Sequence, residues 1–175
     1  MGEVVALLKV YILRGKKLVV RDFTSSDPYV VVKLGNQTAK TKVINSCLNP
    51  VWNEELSFSA TDPLEILKLE VFDRDRFKSD DKMGHTYLDL HPIASVSRLR
   101  RVLPVTGNCR EETKLRKVIP GPENCLVSES YVSCVDGEIV QDVRLRLDGV
   151  ESGELEVKVK WVDVSSSAST AAAAH

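Results

Sequence analysis

Two short stretches hold six aspartates between them: Arg21-Asp22-Phe23-Thr24-Ser25-Ser26-Asp27 and Asp73-Arg74-Asp75-Arg76-Phe77-Lys78-Ser79-Asp80-Asp81. Oxygen-only side chains at that density suit the capture of a hard divalent cation. Calcium takes roughly six to eight oxygen ligands at about 2.3–2.6 Å, from carboxylates, backbone carbonyls and water. Without a cation, two unit charges roughly 4 Å apart repel by about 4 kcal/mol at an effective dielectric near 20, so folding alone does not favour bringing such loops together. Any single aspartate here also reads as a solvated turn residue, because Asp favours turns and helix caps. The pattern as a whole reads differently. Asp73 and Asp75 directly follow an apolar run, and alternate residues of a strand point the same way, so two carboxylates form one side of a clamp. An EF-hand does not fit the second loop: Phe77 stands at its fifth place, Lys78 where glycine makes the sharp turn, and Gly84 where the bidentate Glu belongs.

Catalytic constellations are missing. No Gly-rich phosphate loop, GxSxG elbow or HExxH helix occurs, and His85 and His91 lie on either side of an expected strand, so the chain is expected not to be an enzyme. With Lys+Arg 24 against Asp+Glu 25 there is no global basic field, and Arg98-Leu99-Arg100-Arg101 is a short solvated run without aromatic platforms, so no nucleic acid is expected as a partner. The chain of 175 residues, 43% hydrophobic and 28% charged, is expected to fold as one domain. No apolar run approaches the roughly 18–20 residues of a membrane span, and neither a signal peptide nor a myristoylation signal is expected at the start. Cys47, Cys109, Cys125 and Cys134 fit no zinc or CxxC spacing and read as reduced thiols.

The elements that must position the aspartates are strands. Leu155, Val157, Val159 and Trp161 alternate with Glu156, Lys158 and Lys160, and Val143 to Leu147 and Leu67 to Val71 alternate in the same way. Shorter runs lie at Leu7 to Leu13, Tyr29 to Leu34, Thr41 to Ile44, Glu55 to Phe58 and Thr86 to Leu90, with Gly35-Asn36, Asn49-Pro50 and Asp136-Gly137 among the turns between strands. About eight such strands make an all-β antiparallel sandwich. Pro92 to Leu103 reads as a short helix, Thr113 to Ile119 as a further strand, and Ser130 to Val135 as the first arm of a hairpin. The low-complexity residues 165–175 resemble a disordered tail or cloning remnant and are set apart from a single domain over 1–164.

Ser26-Asp27-Pro28-Tyr29-Val30, Leu48-Asn49-Pro50-Val51-Trp52-Asn53-Glu54, Val71-Phe72-Asp73-Arg74-Asp75 and Asp81-Lys82-Met83-Gly84 resemble the signature of a C2 domain. The resemblance implies an eight-stranded antiparallel β-sandwich with calcium between loops at one end. It implies ligation by the carboxylates of Asp22, Asp27, Asp73, Asp75 and Asp81 and the backbone carbonyls of Arg21 and Arg74, and leaves Asp80 as a solvated neighbour. A segment at about 97–141, with a short helix and extra strands, is similar to the insertion of plant C2-domain abscisic-acid-related proteins. Members of that family are implied to bind anionic phospholipid with calcium and to recruit PYR/PYL abscisic acid receptors to the plasma membrane. Some are implied to activate an Obg-like GTPase/ATPase, with the cytoplasm and nucleus as further locations.

Calcium at the loop tips would leave outward coordination positions for the phosphate oxygens of an anionic membrane. Phe23 and Phe77 sit mid-loop, where an apolar ring has reason to meet a lipid interface. Lys33, Lys40 and Lys42 are expected to form a basic strip, Lys40 and Lys42 on one face of a strand and Lys33 beside them across a turn. Each contributes about 1 kcal/mol near an anionic surface.

Overall fold

The structure, a computed structural model, describes residues 2–21, 25–102 and 112–164. Among these residues the chain forms β1 (Glu3–Lys16), β2 (Pro28–Leu34), β3 (Gln37–Lys40), β4 (Val51–Asp62), β5 (Leu67–Asp73), β6 (Asp81–Leu88), α1 (His91–Val102), β7 (Thr113–Val118), β8 (Ser130–Val135), β9 (Glu138–Arg146) and β10 (Glu154–Asp163). Two antiparallel sheets, ordered β4-β1-β10-β9-β8-β7 and β3-β2-β5-β6, make the expected sandwich. β7 and β8 fall within the expected insertion, leaving eight strands for the sandwich proper.

Alternation along the strands builds the core. Ala6, Leu8, Val10 and Ile12 of β1, with Leu155, Val157 and Val159 of β10, are buried together with Val30, Val32, Leu67, Leu69 and Val71 of the second sheet. Burying each such Leu, Ile or Val side chain contributes about 1.5–3 kcal/mol. The helix follows from its ends and one apolar stripe. The Asp89 carboxylate accepts the His91 main-chain N–H at 3.0 Å, Pro92 suits the first turn, and Ile93, Ala94 and Val96 are buried. Leu103 and Cys109 lie outside the described residues; Cys47 and Cys125 are free thiols.

One expected strand is cut short. The run Thr41 to Ile44 does not continue β3, which ends at Lys40. The Thr41 hydroxyl oxygen accepts the Val30 N–H at 2.9 Å in place of a main-chain carbonyl. Beyond it the Lys42 N–H goes to the Glu54 carboxylate at 2.7 Å and the Lys42 carbonyl to the Trp52 indole at 3.0 Å. Side chains thus take some of the groups a regular ladder would have used, while the Thr41 N–H still donates to the Val30 carbonyl at 2.9 Å and the Ile44 N–H to the Pro28 carbonyl at 3.1 Å, and Lys42 lies past the strand rather than on its face with Lys40.

Strand β6 starts earlier than the Thr86 to Leu90 run implies, because it passes through a bulge. The β5–β6 register shifts between Glu70 and Phe72, so that Met83 and Gly84 together stand opposite Val71. Gly84 has a φ of +106°, and a Cβ there would meet Val150 Cγ2 at 2.7 Å and Leu147 Cβ at 3.0 Å. Only glycine lets β6 run beneath the 147–150 segment and bring Asp81 beside Asp73. Gly84→Ala is expected to destabilise the fold by about 1–3 kcal/mol from backbone strain alone. Urea denaturation measures this, and an unchanged midpoint would contradict the packing described.

Candidate functional site

The acidic end is assembled by strand register. Pro28 pairs with Asp73, and Asp73 pairs with Asp81, so Asp27, Asp73 and Asp81 lie at adjacent ends of β2, β5 and β6. Main-chain donors hold the carboxylates. The Asp27 N–H donates to Asp73 Oδ1 at 2.8 Å, the Ser46 N–H donates to Asp27 Oδ1 at 2.7 Å, and the Arg74 N–H donates to the Asp27 carbonyl at 3.0 Å. Beyond the end of β5, Asp75 Oδ1 accepts the N–H groups of Phe77 at 2.8 Å and Lys78 at 3.2 Å, folding residues 75–78 into a tight turn.

Neighbouring loops are tied to this end. The Ser26 hydroxyl accepts the Arg21 N–H at 2.9 Å and donates to the Val19 carbonyl at 3.0 Å, tying Ser26 to the 19–21 segment. Arg21 reaches across with Nε to the Lys82 carbonyl at 3.2 Å and with its guanidinium to Glu151 at 3.8 Å. Arg21 and Arg74 are therefore at the acidic end. Asp22 and Phe23 lie outside the described residues. Phe77 is 97% exposed at the tip of its loop.

The donors at this end fit a hard cation in kind, since all are oxygens. The Lys78 ammonium already stands 3.9 Å from both Asp75 Oδ2 and Asp81 Oδ2, a positive group between two of them. Among the described residues, however, no three His, Cys, Asp or Glu side chains converge closely enough to enclose a metal. The structure brings Asp27, Asp73 and Asp81 side by side and Asp75 near them without closing a cage.

The basic strip is broader than the three lysines expected for it. On the outward face of the four-stranded sheet, one row runs Lys40, Val31, Glu70, His85 and the next Thr38, Lys33, Lys68, Tyr87, with Tyr29, Phe72 and Lys82 at the acidic end. Lys33 and Lys40 sit diagonally across β2 and β3. Lys68 and Lys82 join them, two residues not expected there although Lys68 occupies a polar position of an alternating strand. Glu70 is the acid within these rows, and Lys33 pairs with it at 3.4 Å.

Asp80, expected as a solvated neighbour, is instead bonded at both oxygens. Its Oδ1 accepts the Asp75 N–H at 2.8 Å, and its Oδ2 accepts the Tyr29 hydroxyl in a short hydrogen bond. The Asp75 N–H, then the Tyr29 hydroxyl, then Arg74 and Lys40 favour its ionised form and hold its carboxyl below the usual range. Burial, followed by the bond to Asp80, pushes the Tyr29 phenol up to about 12. Tyr29 also stacks on Phe72, with ring centroids 5.7 Å apart. The spacing of five residues from Asp75 to Asp80 was the visible hint, but the tyrosine partner comes from another strand.

A sandwich of this topology with acidic loops at one end is the architecture of a C2 domain, and the C2 domain family model matches residues 6–105. The chain belongs to the C2-domain ABA-related family within that class. It is 64% identical over 163 residues to Protein C2-DOMAIN ABA-RELATED 11 of Arabidopsis thaliana, covering 93% of this chain and 96% of the relative. It is 44% identical over 167 residues to GTPase activating protein 1 of Oryza sativa subsp. indica, covering 95% and 98%. Among solved structures, a calcium-bound pair of C2 domains from Extended-Synaptotagmin 2 shares the fold at a TM-score of 0.62 and 22% identity, over 92% of this chain and 47% of that one. A C2 domain of plant Extended Synaptotagmin 1 does so at 0.57 and 24%, over 92% and 97%. Among the described residues no helix is long and apolar enough to cross a membrane.

Removing the Asp75 carboxylate takes the acceptor from two amides of the exposed turn. In metal-free protein, Asp75→Ala is expected to speed hydrogen exchange at Phe77 and Lys78 about tenfold, the effect of losing about 1–1.5 kcal/mol of hydrogen bonding. NMR-detected exchange reads it, and unchanged rates would contradict the turn geometry.

Proposed function

We propose that this protein is a calcium-dependent phospholipid-binding adaptor that docks peripherally on the plasma membrane from the cytoplasm and brings a partner protein with it. The observation that carries the reading is the lateral pairing of Pro28, Asp73 and Asp81, which sets three acidic residues side by side behind an exposed phenylalanine. Asp27, Asp73, Asp75 and Asp81, with Asp22 and the carbonyls of Arg21 and Arg74, are the residues that would hold calcium. Bound there, the ion would neutralise the carboxylates and offer coordination to lipid phosphate. The residues of this chain do the rest. Phe77 places an apolar ring in the interface, worth about 1.5–3 kcal/mol if fully buried. Lys33 and Lys40, with Lys42 just past the strand, add attraction to anionic headgroups of about 1 kcal/mol each, falling off within a Debye length.

The partner surface is assigned to the insertion. β7 is the outermost strand of its sheet, and Leu115 at 44% and Ile119 at 61% exposure lie on or just beyond it. The ABA-related naming of the Arabidopsis relatives supports an abscisic acid receptor as the proposed partner, and the nucleus is a further proposed location carried by the family resemblance alone. A second role is favoured by the name of the rice relative, GTPase activating protein 1: stimulation of an Obg-like GTPase/ATPase, with this chain ordering switch loops rather than carrying out chemistry.

Sedimentation with phosphatidylserine vesicles, with calcium or chelator, tests the first reading. Asp27→Ala with Asp75→Ala is expected to abolish calcium-dependent binding, whereas Phe77→Ala should keep the calcium requirement but weaken binding about tenfold or more. Vesicle binding indifferent to calcium, alongside a rise in GTP or ATP turnover when an Obg-like enzyme is mixed with the protein, would replace the adaptor reading by the second one.

A further inference from the structure

Each of the two sheets ends in two edge strands, β4 and β7 in one and β3 and β6 in the other, and the chain treats one of them differently. Gln37 ties β3 to β4: its side-chain amide donates to the Ser59 carbonyl at 2.8 Å and accepts the Ser59 N–H at 2.7 Å. At β6, His85 and Asp148 exchange main-chain hydrogen bonds at 3.1 and 2.8 Å, which caps that edge with the 147–150 segment. Among the described residues no strand or bridge pairs with the outer edge of β7, and Thr113 to Lys117 are all exposed. A row of unpaired N–H and C=O groups of this kind is a template for one more strand.

The side chains along the edge select what can be added. Lys114, Arg116 and Lys117 make the strand basic. Lys114 stands 4.2 Å from the centre of the Tyr131 ring, Lys117 pairs with Glu129 at 2.9 Å, and Arg116 has no ion pair among the described residues. Glu112, the acid just before the strand, accepts the Ser133 hydroxyl at 3.3 Å. A second copy of this chain, laying β7 against β7, would set like charges across from one another, which destabilises a sheet. The register shift between Lys114 and Arg116 leaves Leu115 without a partner on β8, so the regular part of the edge begins at Arg116.

We propose that β7 is a site of strand addition, at which an extended acidic segment of a partner protein pairs with its outer edge. Main-chain hydrogen bonds attach the segment, and Lys114, Arg116 and Lys117 select for acid and against a second copy. This rests on the reading of the insertion as the partner surface and names what that surface recognises.

The test uses the full isotope-labelled chain and an end-blocked hexapeptide of alternating valine and glutamate. An NMR titration is expected to give saturable shifts centred on β7 and to slow amide exchange within Arg116–Val118 about tenfold or more. The same peptide with alternate amides N-methylated keeps its charge but loses donors to the edge, and is expected to bind about tenfold more weakly. Lys114→Glu with Arg116→Glu is expected to weaken the glutamate peptide about tenfold and to accept an alternating valine–lysine peptide that the wild type refuses. Equal binding of the methylated peptide would overturn strand addition and leave charge attraction alone. Shifts centred elsewhere, or none at millimolar peptide, would overturn the edge as a site. Protection of β7 that rises with protein concentration in the absence of peptide would overturn the choice of occupant in favour of a second copy. An abscisic acid receptor, titrated against wild type and the double variant, separates this inference from the reading beneath it. Binding lost in the variant supports both. Equal binding to both proteins would overturn the role of β7 while the receptor stands, and binding to neither, alongside a successful peptide titration, would overturn the receptor and uphold the edge.

Discussion

Like charges set next to one another by strand pairing are the constraint on which this structure depends. The register that pairs Pro28 with Asp73 and Asp73 with Asp81 cannot be relaxed locally. A slip of one residue would turn Val30, Val32, Leu69 and Val71 out of the core. Burial of those side chains therefore outweighs carboxylate repulsion and holds the acidic ends side by side. The metal-free chain offsets that repulsion with what it has: main-chain N–H groups aimed at Asp27, Asp73 and Asp75, and the Lys78 ammonium between Asp75 and Asp81. The Lys78 part of the offset is small, since an exposed ion pair contributes at most about 1 kcal/mol, and hydrogen bonds to the charged carboxylates contribute about 1.5–3 kcal/mol each.

The acidic end and the basic face meet at Asp80. One carboxylate accepts from the backbone of the 75–78 turn and from the hydroxyl of a tyrosine on the lysine-bearing sheet, so the two surfaces share a residue. Under the proposed function, a membrane with anionic headgroups would engage both surfaces together, one through a cation and the other directly. β7 and β8 of the insertion lie in the other sheet, with β7 at its far edge, while the Tyr87 hydroxyl at the end of the lysine-bearing rows donates to the Glu123 carbonyl of the insertion at 2.7 Å.

Much of this was legible in the residues, and the reasons differ by element. Period-two alternation in β9, β10, β5 and β1 reports directly on a sheet with one buried side, and these strands formed where the pattern placed them. The hairpin of β8 and β9 was visible in Asp136-Gly137, both of which adopt the positive φ its tight turn demands. The end of β3 was not visible, because it depends on the Thr41 hydroxyl finding the Val30 N–H across the sheet. Asp80 was misjudged for the same reason: its tyrosine partner is 51 residues distant. The aspartates at the strand ends were found because type and spacing carried them. Lys68 and Lys82 were missed because only sheet order, β3-β2-β5-β6, places them on the same face as Lys33 and Lys40.

A calcium titration of isotope-labelled protein, followed through its main-chain amide signals, tests the central claim most directly. Shifts that saturate and concentrate at Asp27, Arg74, Asp75, Phe77, Lys78 and Asp81, with the strands of the far sheet unmoved, are the result the account requires. Spectra unaltered at millimolar calcium, or changes centred on the insertion and α1, would contradict it.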